Sequence, residues 1–224
     1  MNMNLFREKL VSALGENLVF LVHTGSRVRG EARPDSDYDF AMLVKEINRG
    51  VLNDIRVILT GYSNISVYIL DKKDLEYFPR AQYLQFVHSV NLYGECDFPR
   101  PGVEDIDGYV NMMRRNEIDA LRHYITIVHD ADKLVGRISL SLKYAYICLT
   151  YLLYKETGVL PRTRLETINH LERRGFPRVG VRLLRVLDDW SKEKKLAINT
   201  PREYLHTLEE FWRNLEPRAF ALAS

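Results

Sequence analysis

The feature that most restricts the fold is a change of hydrophobic period part-way along the chain. Up to Gly94, short apolar runs (Leu18 to His23, Tyr38 to Val44, Ile65 to Leu70, Val90 to Tyr93) alternate with stretches whose apolar residues recur every three or four positions. Beyond Gly102 only the helical period remains. Strands alternating with helices predict an α/β (α+β) domain with a small mixed sheet over residues 1–97, and the second half predicts an all-α helical bundle over residues 103–224. The segment Asp97-Phe-Pro99-Arg-Pro101-Gly102 places two prolines and a glycine in six residues, which breaks regular structure and marks residues 98–102 as a linker.

In the first part, Leu5 to Leu14 predicts a leading helix stopped by Gly15, Arg49 to Leu59 a second, and Asp74 to His88 a third, interrupted near Pro79. In the second part five helices are expected. One runs from Ile106 to Val128, and a nearly all-round apolar one from Leu134 to Tyr154 belongs at the centre. Thr163 to Arg174 follows, then a helix marked by Val181, Leu184, Leu187 and Trp190. The last starts at Thr200-Pro201-Arg202-Glu203, which has the composition of a capping box with proline at the first helical position.

The chemistry concentrates where the first two strands meet. His23-Thr-Gly25-Ser26 ends the first apolar run, a basic loop with Arg27, Arg29, Gly30 and Arg33 follows, and Asp35-Ser36-Asp37-Tyr-Asp39 leads into the second. Side chains two apart on a strand share a face, so Asp37 and Asp39 project together. Paired carboxylates repel unless a cation lies between them, and such a pair suits Mg²⁺ that also holds substrate phosphates. Gly25 lets the backbone approach a ligand, and the N–H groups of the following turn with the Ser26 hydroxyl can cradle phosphate oxygens. Arg29 has the fork geometry that recognises phosphate.

Gly-Ser, ten residues, then Asp-x-Asp, with Arg27, Arg29, Gly30, Ala32 and Ser36 between, resembles the signature of the DNA polymerase β-like nucleotidyltransferase superfamily, and within it the minimal and kanamycin-type nucleotidyltransferases. The resemblance covers residues 1 to about 97. It implies that a nucleoside monophosphate, AMP from ATP, is moved onto an acceptor hydroxyl with release of pyrophosphate. In that scheme Asp37 and Asp39 are catalytic and hold Mg²⁺, while Gly25, Ser26, Arg29 and Ser36 bind the nucleotide. Such domains also carry a third carboxylate on a later strand, and Ser66 of Asn64-Ile-Ser66-Val-Tyr68-Ile-Leu-Asp71 stands in its place. Asp71 and Asp74 lie further on, and Glu117 and Asp119 sit in the first bundle helix, where a solvated face is expected. Three outcomes stay open: two carboxylates suffice, another group substitutes, or the domain is a non-catalytic, antitoxin-like nucleotide-binding module.

With 32 basic and 30 acidic residues, the formal charge of +2 gives no global field for nucleic acid. The two cysteines, Cys96 and Cys148, form neither a zinc motif nor a disulfide framework, which fits a reducing cytoplasm. The most apolar stretch, Ile138 to Tyr154, is short for a membrane span and carries Lys143, and Met1 to Leu14 is too polar for a signal peptide. Partners are a nucleoside triphosphate and an acceptor that is a small molecule, a protein or RNA; a homodimer stays open. Arg122 to His129 and Arg164 to His170 have the spacing of helical ribonucleases, a pattern that many arginines and six histidines produce by chance.

Overall fold

The computed structural model describes residues 1–34, 36–95, 98–176 and 178–216. Asp35 of the acidic loop, Cys96, Asp97 of the linker segment and the last eight residues, 217–224, lie outside the described residues. The chain forms two compact units, Met1–Arg100 and a second beginning at Pro101.

The first unit is built on a four-stranded sheet ordered β3-β2-β1-β4. Its strands are β1 (Leu18–Thr24), β2 (Tyr38–Val44), β3 (Ile65–Leu70) and β4 (Val90–Tyr93). β1 runs antiparallel to β2 and β4, and β2 parallel to β3, so the sheet is mixed. The single parallel pair needs a crossover, and α3 (Arg49–Leu59), capped by the Asn48 side chain on the Val51 N–H at 3.1 Å, supplies it. Together with α1 (Met3–Leu14), α3 covers one face through Phe6, Leu10, Val51 and Ile55, which pack on Leu21, Phe40 and Met42.

The opposite face buries Phe20, Val22, Ala41, Leu43 and Leu70 under Tyr83 and Phe86 of a 3-10 turn, Arg80–Phe86. Here the structure departs from the expectation of one interrupted helix over 74–88. A short α4 (Lys72–Tyr77) starts at an Asp71 cap, and Pro79 separates it from the 3-10 turn. Residues 25–29, read as loop, form a five-residue helix α2 (Gly25–Arg29) closed by Gly30 at φ 77°.

The second unit is helical: α5 (Val103–Ile127), α6 (Ala131–Thr157), α7 (Arg164–Arg173), α8 (Arg178–Asp188), α9 (Trp190–Asn199) and α10 (Pro201–Asn214). α6 is central and packs against α5 and α7 to α10. Its Ser141 is fully buried because it accepts the Trp212 indole N–H at 2.9 Å, which satisfies both polar atoms inside the core. Where five helices were expected, six stand among the described residues. α9 buries only Trp190 and Ala197, so it leaves almost no apolar stripe to read. Thr200 does not build the expected capping box. It ends α9 by donating its N–H to the Leu196 carbonyl at 3.3 Å, and in that backbone state its side chain makes no cap bond to α10. Among the described residues, no helix is long and apolar enough to cross a membrane.

Candidate active site

The antiparallel register sets Thr24 opposite Asp39, and the parallel register sets Asp39 beside Ser66. Directly paired residues share a face, so the ends of β1, β2 and β3 present Thr24, Asp39 and Ser66 side by side on the face that lacks α1 and α3. Asp37 is exposed and lies in the chain segment just before β2, two positions from Asp39. Thr24 donates its hydroxyl to the Gln85 carbonyl at 3.0 Å, tying the end of β1 to the 3-10 turn.

Gly25 turns the chain out of β1 with φ +81°. A Cβ there would meet the Asp39 carboxylate, with Cγ and Cβ at 2.7 and 2.8 Å. Both the left-handed backbone and the close approach of this side chain require glycine. α2 begins at that point, so its first N–H groups, those of Gly25 and Ser26 among them, have no acceptors within the helix and start next to the acidic strand. The backbone of the small bend and the acid therefore occupy one place.

The rest of the connector is held by Arg27. Its Nη2 donates to the Ser36 carbonyl at 2.6 Å, and its Nε lies 3.2 Å from the Ser36 and Asp37 carbonyls. The guanidinium carbon lies 4.0 Å from the Tyr38 ring centroid. Arg27 thus clamps the entry to β2. The Ser36 hydroxyl accepts the Arg33 N–H at 2.8 Å, while the Ser36 N–H returns to the Arg33 carbonyl at 3.0 Å; its oxygen is used in closing this turn. Arg29 is paired with Glu31, Nε to Oε2 at 3.0 Å, so its charge is already matched.

Residues 4–92 match the model of the nucleotidyltransferase domain family. This part of the chain is similar to nucleotidyltransferase domains. No curated protein matches the chain. Among solved structures it is similar to a spectinomycin adenyltransferase from Enterococcus faecialis crystallised with ATP and spectinomycin. That likeness has a TM-score of 0.46 and 18% identity, and covers 91% of this chain and 98% of that one; at this level it carries no argument.

Within the first unit, Asp71 and Asp74 are occupied with each other's backbone. Asp71 Oδ1 accepts the N–H groups of Lys73 and Asp74 at 2.8 and 2.9 Å, and Asp74 Oδ2 accepts the Asp71 N–H at 3.0 Å. This reciprocal cap starts α4, and the bond from Asp74 is the first of several that hold the Asp71 carboxyl below the usual carboxylate range. The spacing Asp-x-x-Asp is the sequence signal that could have identified this cap. Among the described residues no group of three His, Cys, Asp or Glu side chains is placed to hold a metal ion. Asp37 and Asp39 are the acids that the sequence pattern puts together here, and two carboxylates would suit a cation completing its shell with water and substrate phosphate.

His23 stands on the other face. Paired with Phe40, it stacks on that ring at 5.1 Å and on Tyr38 at 6.0 Å, and its Nε2 is buried without a hydrogen-bond partner among the described residues. Burial first, and the Arg27 charge second, lower its pKa from the usual value of about 6.5. The folded chain therefore favours neutral imidazole. Its contribution is complete above about pH 6.5 and is lost as pH falls through that value towards the lowered one, because the unfolded chain takes up the proton first. Urea midpoints measured from pH 7.5 down to 5 are expected to fall less steeply in His23→Phe than in wild type; parallel slopes would contradict this.

In the second unit, Glu117 is closed to solvent. A solvated helix face was the expectation there, but Glu117 is 2% exposed and forms an ion pair with Arg137 of α6; Asp119 is exposed. The arginines of both ribonuclease-like spacings are engaged, Arg122 with Glu209 at 3.0 Å and Arg164 with Asp188 at 3.5 Å. Cys148, buried beside this charge, has its thiol pushed up far out of the reactive range, by burial first and by Glu117 second.

Proposed function

We propose that this chain is a Mg²⁺-dependent nucleotidyltransferase that moves AMP from ATP onto an acceptor hydroxyl. The observation that carries the reading is the packing of Gly25 against Asp39, which sets a tight backbone bend beside the acidic end of β2. Asp37 and Asp39 hold the cation. Gly25 and Ser26 bind the β- and γ-phosphates through backbone N–H groups and the hydroxyl, and Arg29 and Ser36 flank them. Mg²⁺, when bound, supplies positive charge against the phosphate oxygens. The acceptor oxygen forms a bond to the α-phosphorus, the α–β phosphoanhydride bond breaks, pyrophosphate leaves and the hydroxyl proton passes to solvent.

Ser66 beside Asp39 favours a second reading, a nucleotide-binding regulatory module, because a serine hydroxyl is no base at neutral pH. Calorimetry with MgATP and a transfer assay with α-labelled ATP against small hydroxylated molecules, RNA and protein separate the two. Label on an acceptor, lost when EDTA removes the metal, supports the transferase. Saturable MgATP binding with no labelled product supports the module, and absence of MgATP binding removes both. Position in a cytoplasm and assembly as a homodimer belong to this proposal as expectations for the purified chain.

A further inference from the structure

The second unit carries a concentration of positive charge that neither reading above uses. From Arg173 to Leu187 the sequence holds five arginines and no acid or lysine, in a chain whose basic and acidic residues otherwise nearly balance. Arg173 and Arg174 end α7; Arg178, Arg182 and Arg185 recur at intervals of four and three along α8, which places them on one helix face. All five are exposed. Arg185 is paired with Glu172 at 2.5 Å, while among the described residues no acidic side chain forms an ion pair with Arg173, Arg174, Arg178 or Arg182. Arg182 stands close enough to Tyr204, whose hydroxyl donates to Glu193 at 2.7 Å, to act on that phenol.

The inner face of α8 is firmly seated. Val181, Leu183, Leu184 and Leu187 are buried, and a Cβ on Gly180 would stand 2.6 Å from a Phe176 ring carbon and 3.4 Å from one of Phe211. An amphipathic helix that binds a lipid surface must offer its apolar face to the bilayer, and this helix has none to offer. What it offers is a row of guanidinium groups. Arginine forks match phosphate oxygens, and their planes stack on unpaired bases, which single-stranded and looped RNA displays and duplex DNA conceals.

We infer that the exposed arginine row of α7 and α8 is a docking surface for the phosphate backbone of single-stranded or looped RNA. The inference does not depend on nucleotidyl transfer. It is tested on the full chain by fluorescence anisotropy with a labelled 20-nucleotide single-stranded RNA, the corresponding DNA duplex, and phosphatidylcholine–phosphatidylserine vesicles. If four arginines each neutralise one phosphate, the logarithm of the RNA association constant falls with that of salt concentration at a slope of about −3, roughly a 50-fold loss between 50 and 200 mM salt. The quadruple variant Arg173→Gln, Arg174→Gln, Arg178→Gln, Arg182→Gln is expected to lose binding at 50 mM salt and to flatten the slope. The corresponding quadruple Arg→Lys variant, which keeps the charge, is expected to retain the slope. A triple Lys192→Gln, Lys194→Gln, Lys195→Gln change on α9 is expected to leave both unaltered. Equal loss in the lysine variant, an unchanged slope in the arginine variant, no RNA binding at 50 mM salt, or arginine-dependent binding to the duplex or the vesicles in preference to RNA each overturns the inference.

Discussion

Replacing Asp37 or Asp39 by asparagine is expected to lower nucleotidyl transfer by about 10²- to 10⁴-fold, a loss of roughly 3–5 kcal/mol of transition-state stabilisation, the size of effect a metal ion supplies to developing phosphate charge. Asparagine keeps the shape and removes the charge, so a cation held as proposed would lose one of its two carboxylates while the sheet keeps its packing. Asp37 is exposed and Asp39 half-buried, and neither belongs to the apolar core of its face, so the thermal midpoint is expected to stay close to wild type. The double variant separates function from fold: a folded protein with intact turnover would falsify the assignment of both carboxylates. Asparagine at position 39 is also the more informative of the two, since that side chain packs directly on Gly25 and any loss of MgATP affinity there reports on the bend as well as the cation.

The largest stability effect is expected in the second unit. Arg137 and Glu117 have side chains only 10% and 3% exposed and form an ion pair between α6 and α5, with Arg137 also 6.0 Å from the Tyr124 ring centroid. Arg137→Leu leaves the Glu117 carboxylate inside the bundle without its partner, and the expected cost is about 3–5 kcal/mol, a large part of the 5–15 kcal/mol typical of a whole domain. Replacing both, as Glu117→Met with Arg137→Leu, removes the desolvation cost of two ions and fills similar volume with apolar atoms. That double variant is expected to be about as stable as wild type or more so. Chemical denaturation of the three proteins decides the matter. A single Arg137→Leu variant that costs below about 1 kcal/mol would show that the bundle relaxes enough for water to reach Glu117.

The parts of the fold that depend on local pattern were readable from sequence, and those that depend on neighbours were not. β2, α3, β3 and β4 begin and end where the apolar runs and their flanking turn residues place them, because each buries its own regular stripe. α9 escaped because Trp190 reads equally as the end of the preceding helix, and Ser191 to Lys195 carries no apolar residue. Glu117 shows the same limit in another form. A glutamate on a helix is ordinarily solvated, and only the position of Arg137 twenty residues later, brought alongside by antiparallel packing, makes its burial tolerable.

At the candidate site, the spacing of Gly25-Ser26 and Asp37-x-Asp39 shows that two strands meet there, but the packing of the glycine on the acid is a property of the register between β1 and β2. Nor does the spacing distinguish among the arginines. Arg27, Arg29 and Arg33 look alike in a basic loop, yet Arg27 holds two backbone carbonyls, Arg29 an acid, and the Arg33 backbone the Ser36 hydroxyl. His23 lies next to the Gly-Ser bend in sequence and on the far side of the sheet in space, as strand alternation requires.

Ser66 faces solvent on an outer strand, directly beside Asp39. No core side chain rests on it, so its identity is free of packing demands. Aspartate there would add a negative group directly beside Asp39 without disturbing the core, at the cost of like-charge repulsion until a cation binds. The number of acids beside Asp39 is therefore set by electrostatics alone, independently of how the core of the sheet is filled.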